Sequence, residues 1–130
     1  MPRLFSIEEA NALIPHLEGV IRRALAVRQE LDRFGEDAAA IAARSTGNGH
    51  ADHGEMGARQ KAAEEAAARL EALATEVREL GCEVKDIRRG LIDFPHERDG
   101  QVVYLCWMLG EPAIAYWHEI EAGFAGRQPL

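Results

Sequence analysis

Four side chains in the last third of this 130-residue chain are of the types that bind a divalent metal or exchange protons with a substrate. They are Asp93, Glu111, His118 and Glu121. Carboxylates and imidazoles are the common protein ligands of zinc-class cations and the common general acids and bases. Their spacing matches no established ligand motif. If the protein carries a cofactor, the sequence predicts a divalent metal held by these four residues.

A second set of residues near the C-terminus has the chemistry of a ligand pocket or a subunit interface. It consists of Trp107, Tyr116, Trp117, Arg98 and Arg127. The aromatic side chains bury large apolar areas and keep a polar group that needs a partner, and the arginines suit an anion. The alternative is that the aromatic residues fill the core or a dimer interface and that the arginines pair with surface carboxylates.

Two further groups of reactive residue types have simpler interpretations. His50, Asp52 and His53 lie in a glycine-rich stretch, where a surface metal site is conceivable but the backbone would hold it loosely. Cys106 lies mid-strand between apolar residues and is interpreted as a small buried side chain rather than a nucleophile. Cys82 and Cys106 form no CxxC pattern, so both are expected to be reduced.

The first eighty residues predict two helices. Ser6 and Glu9 form a capping box, and apolar residues then recur with helical period as far as Phe34. Pro15 removes one backbone hydrogen bond, so we expect a kink there.

The second helix is predicted from about Ala58 to Leu80, and Gly81 is expected to end it in the left-handed conformation. Its apolar residues follow a coiled-coil seam: Ala62, Ala66, Leu70, Leu73, Val77 and Leu80. The stretch 45–57 contains four glycines and predicts a flexible loop. The two helices are therefore expected to form an antiparallel hairpin.

From residue 82 onward the apolar pattern changes to short runs separated by turns. Strands are predicted at 91–95, 102–108 and 114–120, with 84–87 as a shorter fourth. Asp99-Gly100 predicts a type I′ turn and Gly110-Glu111 a second two-residue turn. The fold class is therefore α+β: one domain over 1–130, with the helical hairpin in 1–81, a three- to four-stranded antiparallel sheet in 82–130, and a C-terminal tail folded back over the sheet.

These turns fix an expected strand register, which decides which residues share a face. Asp93 would oppose Cys106, and His118 would lie beside Val103, so Asp93 and His118 would point to opposite faces. His96 and His118 would share one face. The face against the helices would carry Ile92, Phe94, His96, Val103, Leu105, Trp107, Ile114, Tyr116, His118 and Ile120. The other face, with Trp117 and Cys106 among its members, is too apolar for full exposure and predicts a second covering layer.

The overall charge and hydropathy narrow the class of partner. A formal net charge of −7 opposes binding to nucleic acid. No apolar run approaches the roughly 20 residues of a membrane span, and no signal peptide is recognisable. A cytoplasmic protein is expected.

The motifs of the last fifty residues resemble those of a known family. Asp93-Phe94-Pro95, Cys106-Trp107 followed by Gly110-Glu111, Trp117-His118, and the stretch 123–127 are similar to the motifs of a bacterial family catalogued as domain-of-unknown-function family 2203. The chain differs from that family in having His96 where a small residue is expected and Glu121 where Asp is usual. The resemblance implies a helical N-terminal part and no particular activity.

Three functions stay open at this point. The sequence favours a non-catalytic interaction or scaffold module that forms a homodimer, because it contains no nucleophile motif and no phosphate-binding loop. The first alternative is a small metal-dependent or acid-base enzyme centred on His118 and the nearby carboxylates. The second is a small-molecule sensor that uses Trp107, Tyr116 and Trp117.

Overall fold

The chain folds as the α+β protein that its sequence predicts, with five strands instead of three or four. A computed structural model describes residues 3–48 and 53–130. The elements in chain order are α1 (Ile7–Asn48), α2 (His53–Glu79), β1 (Glu83–Asp86), β2 (Leu91–Arg98), β3 (Gln101–Met108), β4 (Tyr116–His118), a 3-10 turn (Phe124–Gly126) and β5 (Gln128–Pro129). Neither helix combines the length and the apolar character that a membrane span would need within the described residues.

The ends of the helical hairpin follow the predicted capping chemistry. The Ser6 hydroxyl accepts from the Glu9 backbone N–H at 3.0 Å, and the Glu9 carboxylate accepts from the Ser6 N–H at 3.0 Å. At the other end Gly81 has a φ of 96°, and the N–H groups of Gly81 and Cys82 bond back to the last turn of α2. Helix α1 continues through Pro15 as one helix.

The predicted loop over 45–57 is wrong at both ends, because helix occupies most of it. Helix α1 continues to Asn48 and α2 already begins at His53. A glycine in a helix costs only about 1 kcal/mol, which the long alanine-rich helices on either side can offset. His50 and Asp52 lie outside the described residues, as does the His53 side chain, so the conceivable metal site there is not described.

The strands form one antiparallel sheet in the order β1-β2-β3-β4-β5. Asp99 and Gly100 have φ values of 52° and 79°, so the β2–β3 turn is the predicted type I′. This turn sets the register that the sequence predicts, in which Asp93 pairs with Cys106. The tail folds back as predicted, because β5 pairs with β4 at the edge of the sheet.

The predicted register of the last long strand is wrong by one residue. His118 pairs with Tyr104 rather than Val103, and Trp117 pairs with Leu105. The connection is longer than a two-residue turn: the Ile114 N–H donates to the Asn11 side chain at 2.7 Å, and β4 begins only at Tyr116. Since side chains alternate between faces, the slip moves His118 and Tyr116 to one side of the sheet and Trp117 to the other.

The core lies between the helices and one face of the sheet. This helix-facing side carries Ile92, Phe94, Leu105 and Trp107, all fully buried. They pack with Phe5, which precedes α1, and with helix residues that include Leu17, Val20, Ile21 and Val77. Ile92, Phe94, Leu105, Trp107 and Ile114 are placed as predicted. Ile120 is 52% exposed, so its predicted place in the core is wrong. The opposite side, called the outer face below, carries Asp93, Cys106, Tyr116 and His118.

Candidate functional site

The one-residue register change brings three chemically active side chains together on the outer face. Asp93 on β2, Cys106 on β3 and His118 on β4 are 2%, 1% and 2% exposed. One ligand atom from each residue lies within 4.8 Å of the other two. The prediction that Asp93 and His118 point to opposite faces is therefore wrong. The prediction that His96 and His118 share a face is also wrong.

Both ring nitrogens of His118 are engaged. Nδ1 lies 2.8 Å from the Glu119 carbonyl oxygen, which can only accept, so Nδ1 carries a proton. Nε2 lies 3.0 Å from each carboxylate oxygen of Asp93. One further proton therefore bridges Nε2 and Asp93. The pair is neutral overall whichever partner holds that proton, and neutrality allows it to be buried.

Burial also raises the pKa values of Asp93 and Cys106. Burial raises the pKa of Asp93, although the His118 ring, the Cys106 thiol and the Lys85 ammonium oppose the rise. Burial and the nearby Asp93 carboxylate raise the pKa of Cys106 to about 12, while the Arg127 guanidinium opposes this shift. Cys106 is therefore a thiol near neutral pH, which excludes it as a free thiolate nucleophile there.

A cavity of about 280 Å³ opens above the cluster. Its floor is formed by Asp93, Cys106 and His118, and its walls are formed by Lys85, Asp86, Arg89, Leu91, Ile120, Gly123 and Phe124. Part of the second layer that the apolar outer face predicts is thus the chain's own C-terminal segment. Two cationic side chains, the Asp86 carboxylate and several apolar side chains form these walls.

Glu111 belongs to a separate contact that holds the C-terminal segment. Arg127 donates to the Glu111 carboxylate at 2.5 Å and to the Cys106 carbonyl oxygen at 3.0 Å. The same Glu111 carboxylate accepts from the Met108 N–H at 2.6 Å. The Arg127 guanidinium also lies 4.1 Å from the centre of the Tyr116 ring. Glu111 is consequently paired within the protein, and Arg127 is paired with it.

The remaining predicted site residues are dispersed. Glu121 is exposed and contributes no atom to the cluster. Arg98 lies over the Trp117 ring at 4.7 Å, and Trp107 is fully buried with its indole N–H donating to the Glu111 carbonyl oxygen. Trp107 and Trp117 lie on the helix-facing side and Tyr116 on the outer face, so these three do not form one aromatic cluster.

Cys106 is the cluster residue that the sequence interpretation missed. Its position opposite Asp93 follows from the Asp99-Gly100 turn, so the sequence contained the signal for this pair. The apolar neighbours Leu105 and Trp107 pointed to packing, yet alternate residues of a strand face opposite sides. A cysteine between two core-facing residues therefore faces away from that core.

The cluster offers three donors that suit a metal of the zinc class. A thiolate sulfur, an imidazole nitrogen and a carboxylate oxygen are typical zinc ligands, whereas Mg²⁺ and Ca²⁺ prefer oxygen ligands alone. The hydrogen bond from Nδ1 to a backbone carbonyl is the contact that normally orients a metal-binding histidine. Acid-base catalysis by His118 alone would instead require one of its two hydrogen bonds to break.

Fold and site together define an α+β protein in which a helical hairpin supports a five-stranded antiparallel sheet with a buried Asp, Cys and His cluster on its outer face. The chain belongs to the DUF2203 family, described as an uncharacterized conserved protein, whose family model matches residues 3–130. The resemblance inferred from the motifs at 93–127 is thus confirmed and extends over nearly the whole chain. No curated protein and no solved structure matches it.

Proposed function

We propose that the protein is a small metal-dependent enzyme that binds one zinc-class cation through Asp93, Cys106 and His118. The observation that carries this proposal is the convergence of three different ligand types from three adjacent strands within 4.8 Å. Buried carboxyl and imidazole groups are expensive to retain in a core unless they have a specific partner.

Charge balance supports a divalent cation. When Cys106 and Asp93 are ionised and His118 is neutral, the three ligands carry two negative charges, which a divalent cation neutralises. Metal binding would release two protons: the thiol proton of Cys106 and the proton that bridges His118 and Asp93. The site would then be buried without net charge.

The number of ligands supports a catalytic rather than a structural metal. Structural zinc sites are usually closed by four protein ligands, whereas catalytic sites use three and leave a position for water or substrate. Here the three candidate ligands line a cavity through which water or a substrate would reach that position. A cation there would polarise a bound ligand or lower the pKa of a bound water.

Calorimetric titration of EDTA-treated protein with Zn²⁺ tests the proposal. We expect one Zn²⁺ per chain, with the affinity lost in Cys106→Ser and His118→Ala. Cys82→Ser is the matched control because Cys82 is also buried but lies outside the cluster. Substoichiometric binding, or equal loss in the Cys82→Ser variant, contradicts a site at the cluster.

The interaction-module function remains a second candidate, and one observation favours it. An apolar groove of about 420 Å³ lies between the helices of the hairpin, and its lining includes Leu31, Phe34, Ile41 and Met56. Under this proposal a second copy of the chain packs in the groove as in a coiled coil, and the protein is a cytoplasmic homodimer. The net charge of −7 disfavours a nucleic-acid partner. Light scattering of wild type and Phe34→Glu tests it: a dimer that becomes monomeric supports the groove, and a wild-type monomer contradicts it.

A further inference from the structure

We propose that the ligand of this metal site is a small oxyanion, a carboxylate or phosphate, held by Arg89 and Lys85. This inference rests on the proposed function, because one oxygen of the anion would bind the metal. A second oxygen would bind the Arg89 guanidinium at the mouth of the cavity. The argument depends on how these two cations are placed and on the size of the space between them.

At the cavity wall the Arg89 guanidinium is ion-paired with Asp86 but, among the described residues, donates no hydrogen bond. Its Nε lies 3.8 Å from the Asp86 carboxylate, which is beyond hydrogen-bond distance, and the Asp86 carboxylate instead accepts from the Arg89 backbone N–H at 3.1 Å. The guanidinium lies over the Phe124 ring, 5.4 Å from its centre. An arginine held by an aromatic ring keeps the planar fork that binds a carboxylate or phosphate with two parallel hydrogen bonds.

Lys85 supplies the second cation. Its ammonium lies 2.6 Å from the Glu83 carboxylate and 4.8 Å from the centre of the Tyr104 ring. An ammonium has three donors, so the Glu83 contact leaves donors for a second acceptor. Because the metal and its three ligands would be neutral together, the charge of the cavity wall would come from Lys85, Arg89 and Asp86. The two cations outnumber the one carboxylate, and this balance would favour an anion over a neutral ligand.

The dimensions of the cavity limit the ligand to a small molecule. A volume of about 280 Å³ corresponds to roughly nine water molecules at their liquid volume. The remaining walls include the apolar side chains of Leu91, Ile120 and Phe124. An oxyanion with a short apolar part fits both the charged and the apolar walls of a cavity of this size.

The test is calorimetric titration of Zn²⁺-loaded protein with inorganic phosphate and, separately, with acetate. We expect one of these anions to bind, with affinity reduced at least tenfold in Arg89→Gln. The matched control is Arg98→Gln, because Arg98 also lies over an aromatic ring but outside this cavity. The anion affinity of this variant should equal that of the wild-type protein. The anion that binds identifies the ligand as a phosphate or a carboxylate.

Zinc content is measured in every variant, so failure of the two proposals can be distinguished. If Zn²⁺ binds but neither anion binds, or if Arg89→Gln and Arg98→Gln behave alike, the oxyanion proposal is overturned and the metal site stands. If no variant, including wild type, binds Zn²⁺, both proposals are overturned. Retention of Zn²⁺ with selective loss of anion binding in Arg89→Gln supports both.

Discussion

His118 Nε2 lies 3.0 Å from both carboxylate oxygens of Asp93, although the two residues are on strands separated by β3. The contact therefore crosses a whole strand, and it does so at the Cys106 side chain. Because both partners are almost completely buried, we expect the pair to affect both the stability of the sheet and the chemistry of the site.

Removal of one partner of this pair should be costly. Asp93→Ala leaves the His118 Nε2 position buried without its acceptor, and we expect a loss of about 3–5 kcal/mol in the free energy of unfolding. Glu121→Ala is the control, because an exposed carboxylate should change stability by less than about 0.5 kcal/mol. Urea denaturation of metal-free protein measures both. Similar small losses of stability in the two variants would show that the Asp93–His118 pair contributes little to the free energy of unfolding.

The buried thiol predicts how stability depends on pH in metal-free protein. The fold raises the pKa of Cys106 from 9.0 to about 12, so the folded state retains the thiol proton longer than the unfolded state. The contribution of Cys106 is therefore fully present below pH 9 and is lost as the pH rises through about 12. The stability difference between wild type and Cys106→Ala, measured in urea, should shrink between about pH 7.5 and about pH 10.5. A difference that grows over this interval has the wrong sign for a buried thiol.

The Arg127–Glu111 pair should stabilise the C-terminal segment more than a surface pair of similar length. Their side chains are 12% and 18% exposed, and we expect Arg127→Ala to lower the free energy of unfolding by about 2–4 kcal/mol. The control is Arg78→Ala: Arg78 is paired with Glu71 at 2.6 Å, but these side chains are 54% and 70% exposed, so the loss should stay below about 1 kcal/mol. Equal effects would mean that burial does not strengthen the first pair.

Gly90 should be intolerant of a side chain. Its φ is +66°, and an added Cβ would lie 2.6 Å from the Leu109 Cβ atom. We expect Gly90→Ala to lower the unfolding temperature and to cost more than about 2 kcal/mol. Gly35→Ala in α1 meets no atom within 4 Å and should stabilise the protein by about 0.5–1 kcal/mol. Thermal denaturation followed by circular dichroism compares the two, and a neutral Gly90→Ala would contradict the close approach of Leu109.

Local signals in the sequence predicted the parts of the fold that short-range chemistry controls. The Ser6–Glu9 box, the end of α2 at Gly81 and the Asp99-Gly100 turn each depend on residues within a few positions of one another. The β2–β3 register follows from that turn alone. For these elements the sequence was sufficient.

The candidate site was only partly predictable, because it depends on a longer-range contact. Before β4, the Ile114 N–H donates to the side chain of Asn11, a residue 103 positions earlier, and β4 begins only at Tyr116. Turn rules consider only neighbouring residues and cannot include such a contact. The register predicted for β4 was therefore wrong by one residue, and His118 was predicted on the wrong face of the sheet. The sequence selected Asp93 and His118 for their chemistry but could not place them together, and it did not select Cys106.

Cobalt substitution tests the metal-site claim most directly, because Co²⁺ reports its ligands in the electronic spectrum. We predict that Co²⁺ added to the metal-free protein produces a thiolate-to-cobalt charge-transfer band in the near ultraviolet that saturates at one ion per chain. The band should disappear in Cys106→Ser and persist in Cys82→Ser. A spectrum of hydrated Co²⁺ in wild type, or a band that depends on Cys82, would contradict metal binding by Asp93, Cys106 and His118.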